Sequence, residues 1–399
     1  MTLAGERFVM PTYARYPITL VRGEGRRVWD DDGSEYLDLA GGLGALSLGH
    51  AHPAWVEAVQ RAATTIGLVS NLYATPPQAE LAERLAALLP IPDARVFFAN
   101  SGAEANEAAI KLVRKRGLPL GKPRIVALEG SFHGRTVATL AATGQPPKRA
   151  AFEPLVDWFV FVPPNDEAAL RAALAAGDVG AVLLEPVMGE GGVRPLDHAY
   201  LRAARALCDE HDALLVADEV QSGSGRCGRW LAIEAAGVVP DVATLAKALG
   251  GGLPIGACVA RADLAFAPGD HASTFGGGPV PSAAALAVID TIERDGLLAN
   301  ALAMGELLRT ELGRAAPDRV VEVRGAGLLI GIQLREQSAH DVVLRMLRGG
   351  VLATEAGPEV VRMSPPFTVG ADDVAEAVKA FADAAEGVGA RAARRGMGP

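Results

Sequence analysis

Residues 94–117 read ARVFFANSGAEANEAAIKLVRKRG. The first six, Ala94–Ala99, are a short run of mostly β-favouring residues. From Ala105 onward the apolar positions recur at helical spacing. Between the two runs lie Asn100 and Ser101, which suit a helix N-cap, and Glu104 stands three after Ser101 as in a capping box. Gly102 lets backbone approach a ligand closely. A strand ending at a helix N-terminus leaves N–H groups at Ser101, Gly102 and Ala103 for an anion such as a phosphate. A cap alone also explains this motif.

The same order recurs along the chain. PRIVALEG (123–130) precedes FHGRTVATLAAT (132–143), which reads as helical. GAVLLEPV (180–187) precedes DHAYLRAARALCDEHD (197–212), and ALLVADEV (213–220) and DVATLAK (241–247) follow. Short Val/Leu-rich strands alternating with helices predict an α/β fold with a mostly parallel sheet. Ligands bind beyond the C-terminal ends of such strands. That rule brings Asn100–Ala103, Glu129–Arg135, Glu185–Gly192, Asp218–Gln221 and Lys247 to one crevice. Upstream, residues 18–39 alternate on both sides of DDDGS (30–34) and predict a β-meander with a turn there. From Ser282 a long helical stretch leads to further α and β segments. The expected division is a meander at 1–50 packing with the small domain, a large domain at 51–284 and a small α+β domain at 285–399.

The 399 residues carry a formal net charge of −9, which argues against general nucleic-acid binding. Nothing approaches a membrane-spanning apolar run, and the N-terminus lacks a secretory pattern. Cys208, Cys227 and Cys258 have no metal spacing and read as reduced core thiols, which points to the cytoplasm. His50 and His52 in GHAH make a weak metal pair, so no metal site is expected. GSGRCG (223–228) fits a dinucleotide fingerprint, but the strand before it ends in Asp218 and Glu219 and no suitable helix follows. The tail at 390–399 reads as frayed surface.

Asp218 ends an apolar strand. A buried carboxylate needs a partner, either an arginine or a cation on a ligand. A protonated pyridine nitrogen would serve, attracted by about 4 kcal/mol at ~4 Å and an effective dielectric of about 20. Lys247 lies in TLAKALGGGLPIGA (244–257), among small and apolar residues. Such surroundings lower a lysine pKa and free its amine to form an imine with an aldehyde. Phosphate cradle, pyridinium acid and imine-forming lysine together describe a pyridoxal 5'-phosphate site.

With these stretches in view, the chain resembles the class III (ω-amino) aminotransferases of fold type I, most closely the acetylornithine branch. The resemblance is carried by YPITLVRGEG, LGHAHP, SNLY, NSGAEANEAAIKLVR, SFHGRT, EPVMGEGG, ADEVQSGSGR, TLAKALGGGLPIGA, STFGGGP and VVRMSPPF, which span nearly the whole chain. It implies that Lys247 holds the cofactor's aldehyde carbon, Asp218 the ring nitrogen and Gln221 the phenolic oxygen. Phe132, otherwise a core residue, would stack on the ring. Ser101, Gly102 and Ala103 would hold the phosphate, with Glu219 and Val220 beside the ring. Thr274 would reach the phosphate of a neighbouring subunit and Ser273 would lie near substrate, which implies a homodimer with shared sites.

Arg135 would bind the substrate's distal carboxylate. Arg362 would bind the α-carboxylate of glutamate, and Glu190, in a GEGG stretch read as flexible, would mask Arg362 when an ω-amine binds. Each of these three also reads as an ordinary ion pair. Departures from the family pattern are Gly278 in place of Asn, and Ser222 and Cys227 in place of Thr. No tyrosine occurs in GGLGALS (41–47) to grip a free α-amino group, which favours an N-acylated donor. The implied reaction passes the terminal amine of N-acetylornithine to 2-oxoglutarate. Succinylornithine, a carrier-bound lysine precursor, ornithine and 4-aminobutyrate stay open as donors, as does an aminomutase of the same fold.

Overall fold

The acidic turn near the N-terminus is built by one of its own side chains. Asp30 Oδ1 accepts the N–H groups of Asp32 (3.1 Å) and Ser34 (2.7 Å), and Oδ2 accepts the Tyr36 hydroxyl at 2.6 Å. These bonds close the turn between β2 (Arg27–Asp30) and β3 (Glu35–Asp38), and β1 (Leu20–Glu24) pairs antiparallel with β2. The computed structural model describes residue 3 and residues 5–387; the tail at 390–399 lies outside the described residues.

Seven strands form the central sheet: β4 (Ala94–Ala99), β5 (Arg124–Leu128), β6 (Phe159–Val162), β7 (Val179–Leu184), then β10 (Leu214–Asp218), β11 (Val242–Leu245) and β12 (Gly256–Arg261). Between β7 and β10, β8 (Val187–Met188) and β9 (Arg194–Pro195) make a small ribbon. The spatial order is β4-β12-β11-β10-β7-β5-β6. Neighbours run parallel except at β12, which is antiparallel to both β4 and β11. The middle strands β7, β10 and β11 are buried along their whole length, as a sheet covered on both faces requires.

Helix Gly102–Gly117 turns Ala105, Ala108, Ala109, Leu112 and Val113 onto the sheet. Of 132–143, only Val137–Ala142 is helical. The preceding residues are held otherwise: Gly134 has φ 143°, and the His133 N–H donates to Thr143 Oγ1 at 3.1 Å.

The long helical stretch divides into Pro279–Arg294 and Leu297–Ala315, with Gly296 between them in the left-handed region at φ 63°. Ala285, Leu286 and Ile289 of the first helix join the core of the central sheet, while Val288 and Ile292 join the C-terminal core. The expected boundary at 284/285 therefore falls inside a helix that serves both cores. Beyond it, β13 (Val320–Ala326), β14 (Leu329–Leu334), β16 (Thr354–Glu355) and β17 (Val360–Met363) form an antiparallel sheet. The short β15 (Val351–Leu352) instead pairs parallel with β3, Val351 opposite Leu37. Leu37 and Leu39 of the meander accordingly sit in the C-terminal core.

Two local features fix the segments around the crevice. Gly41, Gly42, Leu43 and Gly44 all have positive φ, a single left-handed turn. At Gly41 a Cβ would lie 2.4 Å from the Ser364 carbonyl oxygen. Arg226, fully buried, donates through Nη2 to the Gly44 carbonyl (3.1 Å) and through Nη1 to those of Leu328 (3.2 Å) and Pro365 (2.5 Å). No carboxylate pairs with it among the described residues, and burial lowers its pKa to about 10. The GSGRCG stretch thus ties three distant segments together through its arginine.

Candidate active site

The C-terminal ends of β4, β5, β7, β10 and β11 open onto a cavity of about 420 Å³. That volume suits a small-molecule ligand. Asn100, Ser101, Gly102, Ala103, Phe132, Arg135, Glu185, Glu190, Asp218, Val220, Gln221 and Lys247 all line it. Five segments far apart in sequence therefore converge there.

Ser101 Oγ accepts the Glu104 N–H at 3.2 Å and caps the helix. The return arm differs from a reciprocal box. Glu104 Oε2 accepts from the backbone N–H (2.7 Å) and Nδ2 (2.8 Å) of Asn100, one residue further back. Gly102 and Ala103, at the first turn, present N–H groups that have no partner inside the helix. A Cβ on Gly102 would lie 2.5 Å from Val220 Cγ1, so glycine is required for the helix start to pack against β10's exit loop.

Asp218, at 3% exposure, ends β10. Asn106 Nδ2 and His133 Nδ1 both lie 2.7 Å from its Oδ2. The Val220 N–H (3.1 Å) and Thr244 Oγ1 (3.4 Å) reach Oδ1. No arginine or lysine lies within ion-pair distance among the described residues. The sequence alone suggested none of Asn106, His133 or Thr244 as supports. Asn106 had a readable signal: it is a polar side chain on the buried face of an otherwise apolar helix.

Lys247 follows β11, is partly buried and lines the cavity. Its φ is 42°, a left-handed conformation that costs a non-glycine residue roughly 1–2 kcal/mol. Desolvation is the largest influence on its amine and lowers its pKa; Glu190 pulls the other way and Arg362 adds to the lowering. No carboxylate lies within ion-pair distance of its Nζ among the described residues. The glycines after it make the turn: Gly251 and Gly252 have φ 60° and 116°, and Trp55 Nε1 holds the Gly250 carbonyl at 3.0 Å.

Phe132 is placed by its backbone. Its N–H donates to Glu185 Oε1 at 2.8 Å, and Glu185 Oε2 accepts the Gly189 N–H at 3.1 Å. Two cations flank the ring, Lys148 Nζ at 4.8 Å and the Arg135 guanidinium carbon at 5.5 Å from its centroid.

Arg362, on β17, is almost fully buried. Its Nε donates to Thr354 Oγ1 (3.1 Å), and its Nη1 donates to Glu190 Oε1 (2.5 Å) and Gln221 Oε1 (3.4 Å). Burial pushes the Glu190 carboxyl up, but Arg362, then Lys148 and Lys247, outweigh it and leave its pKa below the ordinary value. The backbone around Glu190 is not loose, contrary to the reading of GEGG as flexible. A Cβ at Gly189 would lie 1.5 Å from Gln221 Oε1, and one at Gly191 would lie 2.7 Å from the Gly130 carbonyl oxygen. Arg324 also donates to the Gly192 carbonyl through Nε (2.9 Å) and Nη2 (2.7 Å). These glycines serve close packing, and freedom to move rests with the Glu190 side chain.

Glu219 is buried beside Asp218 and points away from the cavity, its oxygens accepting from Ser222 Oγ (2.5 Å) and the Ile233 N–H (2.9 Å). Burial pushes its pKa up to about 7. It shapes the loop after β10 and does not line the cavity. Ser273 and Thr274 do not line it either. They border a separate depression with Asn71, Gln78 and Phe98, and Ser273 approaches the cavity only through Asn100 Nδ2 at 3.3 Å.

The residues present fit pyridoxal phosphate: a helix start for its phosphate, a supported buried carboxylate for its ring nitrogen, an aromatic face and a lysine of lowered pKa. The family model for Aminotransferase class-III matches residues 9–385. The chain belongs to the class III aminotransferases. It is 50% identical to an acetylornithine aminotransferase of Thermosynechococcus vestitus, over 96% of both chains. A Methanopyrus kandleri protein of the same name is 46% identical, over 95% of this chain and 97% of that one. Among solved structures, an N-acetylornithine aminotransferase from Stenotrophomonas maltophilia superimposes with a TM-score of 0.82 at 38% identity, covering 94% of this chain and 97% of that one. An ornithine aminotransferase from Toxoplasma gondii, described with pyridoxal phosphate at partial occupancy in its active site, superimposes at 0.91 with 30% identity, covering 96% and 93%.

Proposed function

We propose that the protein transfers the terminal amine of N-acetylornithine to 2-oxoglutarate, giving N-acetylglutamate 5-semialdehyde and glutamate, with pyridoxal phosphate as cofactor. The observation that carries this reading is the Arg362–Glu190 pair beside Lys247: Glu190 lines the cavity, and Arg362, buried and not itself on the cavity wall, is paired to it. One site must accept glutamate, with a carboxylate on the reacting carbon, and an ω-amine without one. A buried arginine with a retractable carboxylate meets both demands. The left-handed turn at Gly41–Gly44, with Ala45 on the cavity wall, offers no hydroxyl to a free α-amino group. That favours an acylated donor over ornithine, as do the names of the relatives at 38–50% identity, against 30% for the ornithine aminotransferase.

The bound cofactor supplies an aldehyde for the amine and a ring that takes up negative charge. Asp218, oriented by Asn106 and His133, holds the ring nitrogen protonated. Gln221 spends its Oε1 on Arg362, which leaves its amide N–H groups for the ring oxygen. Lys247, its pKa lowered by desolvation, would hold the cofactor's aldehyde carbon and would move the proton of the reacting carbon. General acid–base help of this kind contributes typically 10²–10⁴-fold. Arg135, at the exposed rim, binds the distal carboxylate of both substrates.

The working unit is a homodimer. Leu72, Tyr73 and Phe275 are 88%, 68% and 60% exposed near Thr274, an apolar surface that needs cover. Thr274 of the partner subunit would then complete the phosphate site, and Ser273 of the partner subunit would approach substrate. No helix among the described residues is long and apolar enough to cross a membrane, and the three cysteines are free and buried; we place the protein in the cytoplasm.

A panel of amines tests the donor, with cofactor absorbance followed in single half-reactions. N-acetylornithine should react fastest; ornithine or 4-aminobutyrate ahead of it would reverse the assignment. Consumption of 2-oxoglutarate in step with product excludes an aminomutase. In Glu190→Gln, glutamate should bind more tightly and N-acetylornithine more weakly. Equal changes for both would remove the masking role. Light scattering reports the dimer.

A further inference from the structure

Glu190 touches a second cation that the masking role does not use. While Oε1 is held by Arg362, Oε2 lies 3.6 Å from Lys148 Nζ. Lys148 comes from a different part of the chain, the single helical turn Pro146–Arg149. Its side chain is 26% exposed, against 24% for Glu190 and 3% for Arg362. Its Nζ also lies 4.8 Å from the centre of the Phe132 ring, so it is braced by an aromatic face.

The three groups differ in what can move. Arg362 is on a strand paired on both sides and is fixed by Thr354 and Gln221. The Glu190 backbone is wedged by the close packing of its flanking glycines against Gln221 and Gly130. When a substrate α-carboxylate takes Arg362, the Glu190 side chain must therefore leave. Without a second cation to receive it, a largely buried carboxylate that leaves its counter-ion carries a penalty of several kcal/mol. Such a penalty would oppose glutamate at every turnover.

Resting on the masking role of Glu190, we propose that Lys148 is its second berth: the carboxylate slides from Arg362 to Lys148 when a dicarboxylate substrate binds, and Lys148 thereby sets the balance between the two substrates. Lys148 is a positioning residue. It acts through Glu190 and needs no contact with the reacting atoms.

Lys148→Met tests this in the dimeric holoenzyme. The KM for 2-oxoglutarate should rise roughly five- to tenfold, as expected for loss of a partly exposed ion pair, while the KM for N-acetylornithine stays within about twofold. Lys148→Arg should restore the wild-type balance. Glutarate, a dicarboxylate that cannot react, should bind Lys148→Met more weakly by the same factor in calorimetry, which reads binding without turnover. In the background of Glu190→Gln the lysine should no longer matter. Equal KM increases for both substrates, or a Lys148→Met effect that persists in Glu190→Gln, would mean that Lys148 grips substrate directly and would overturn the proposal. An unchanged 2-oxoglutarate KM would overturn it too. Failure of the masking role itself shows separately, in the Glu190→Gln single variant.

Discussion

The Glu185 carboxylate accepts the backbone N–H of Phe132 at 2.8 Å, across 53 residues of sequence. Its other oxygen takes the N–H of Gly189. One buried acid thus joins the loop that carries the aromatic face to the loop that carries Glu190. Burial pushes its pKa up to about 7, with His133 lowering it and Asp218 raising it. Glu185→Ala leaves two buried N–H groups without acceptors, at about 1–3 kcal/mol each. The expected outcome is a lower melting temperature and at least tenfold weaker cofactor binding, read by calorimetry and cofactor titration. Glu185→Gln keeps one acceptor and should lose about half as much.

Lys247→Ala should retain the fold and bind cofactor without covalent attachment. Borohydride treatment followed by intact mass should add a pyridoxyl phosphate to the wild type and nothing to the variant. Turnover should fall by several orders of magnitude. Removing the left-handed lysine should also relieve backbone strain only slightly, because alanine at φ 42° carries a similar penalty.

In Asp218→Asn the amide must place either its oxygen or its NH₂ against the donors Asn106 Nδ2 and His133 Nδ1. With the oxygen there, the NH₂ faces the Val220 N–H and Thr244. Either orientation sets donor against donor. The variant should therefore lose stability by roughly 1–3 kcal/mol as well as most activity. Wild-type turnover would contradict the ring-nitrogen role, whatever the melting curve shows.

Glu219 gives a pH signature. Its folded pKa, about 7, lies above the ordinary carboxyl value of 4.5. The folded chain therefore keeps a proton that the unfolded chain releases. Stability contributed in this way is full below about 4.5 and is lost as pH rises through 7. The gap of about 2.5, at about 1.4 kcal/mol each, bounds the loss at roughly 3.5 kcal/mol. In apo-protein, Glu219→Gln should flatten the fall of melting temperature between about pH 5 and 7.5. An unchanged slope would place that proton elsewhere.

Arg226→Met removes the donors to Gly44, Leu328 and Pro365 and leaves three buried carbonyls unpaired. A loss of about 3 kcal/mol or more is expected by denaturant titration. Arg226→Lys, with one ammonium for three divergent acceptors, should recover only part of it.

The features legible in the sequence are those written in one stretch at a time. Strand and helix runs placed Asp218, Lys247 and the Gly102 helix start at strand ends, and the alternating order made the sheet mostly parallel. What was not legible depends on pairs from distant segments. The Asp218 supports come from residues 106, 133 and 244, and only folding brings them together. The left-handed backbone after β11 is another case: its φ of 42° would favour a glycine, yet the chemistry requires a lysine, Lys247, at that position. The GEGG glycines show the opposite ambiguity: composition suggests mobility, while the structure uses their missing side chains to admit Gln221 and Gly130. Lys148 gave no signal, since a lysine after two prolines on a short turn reads as ordinary surface.

Helix Pro279–Arg294 lends one set of side chains to each of the two cores. Neither core can come apart without stripping a face of that helix, so heating should melt the chain in a single cooperative step. For the same reason, a chimera spliced at residue 285 would sever a shared beam, whereas a splice in the turn at Gly296 would leave it whole.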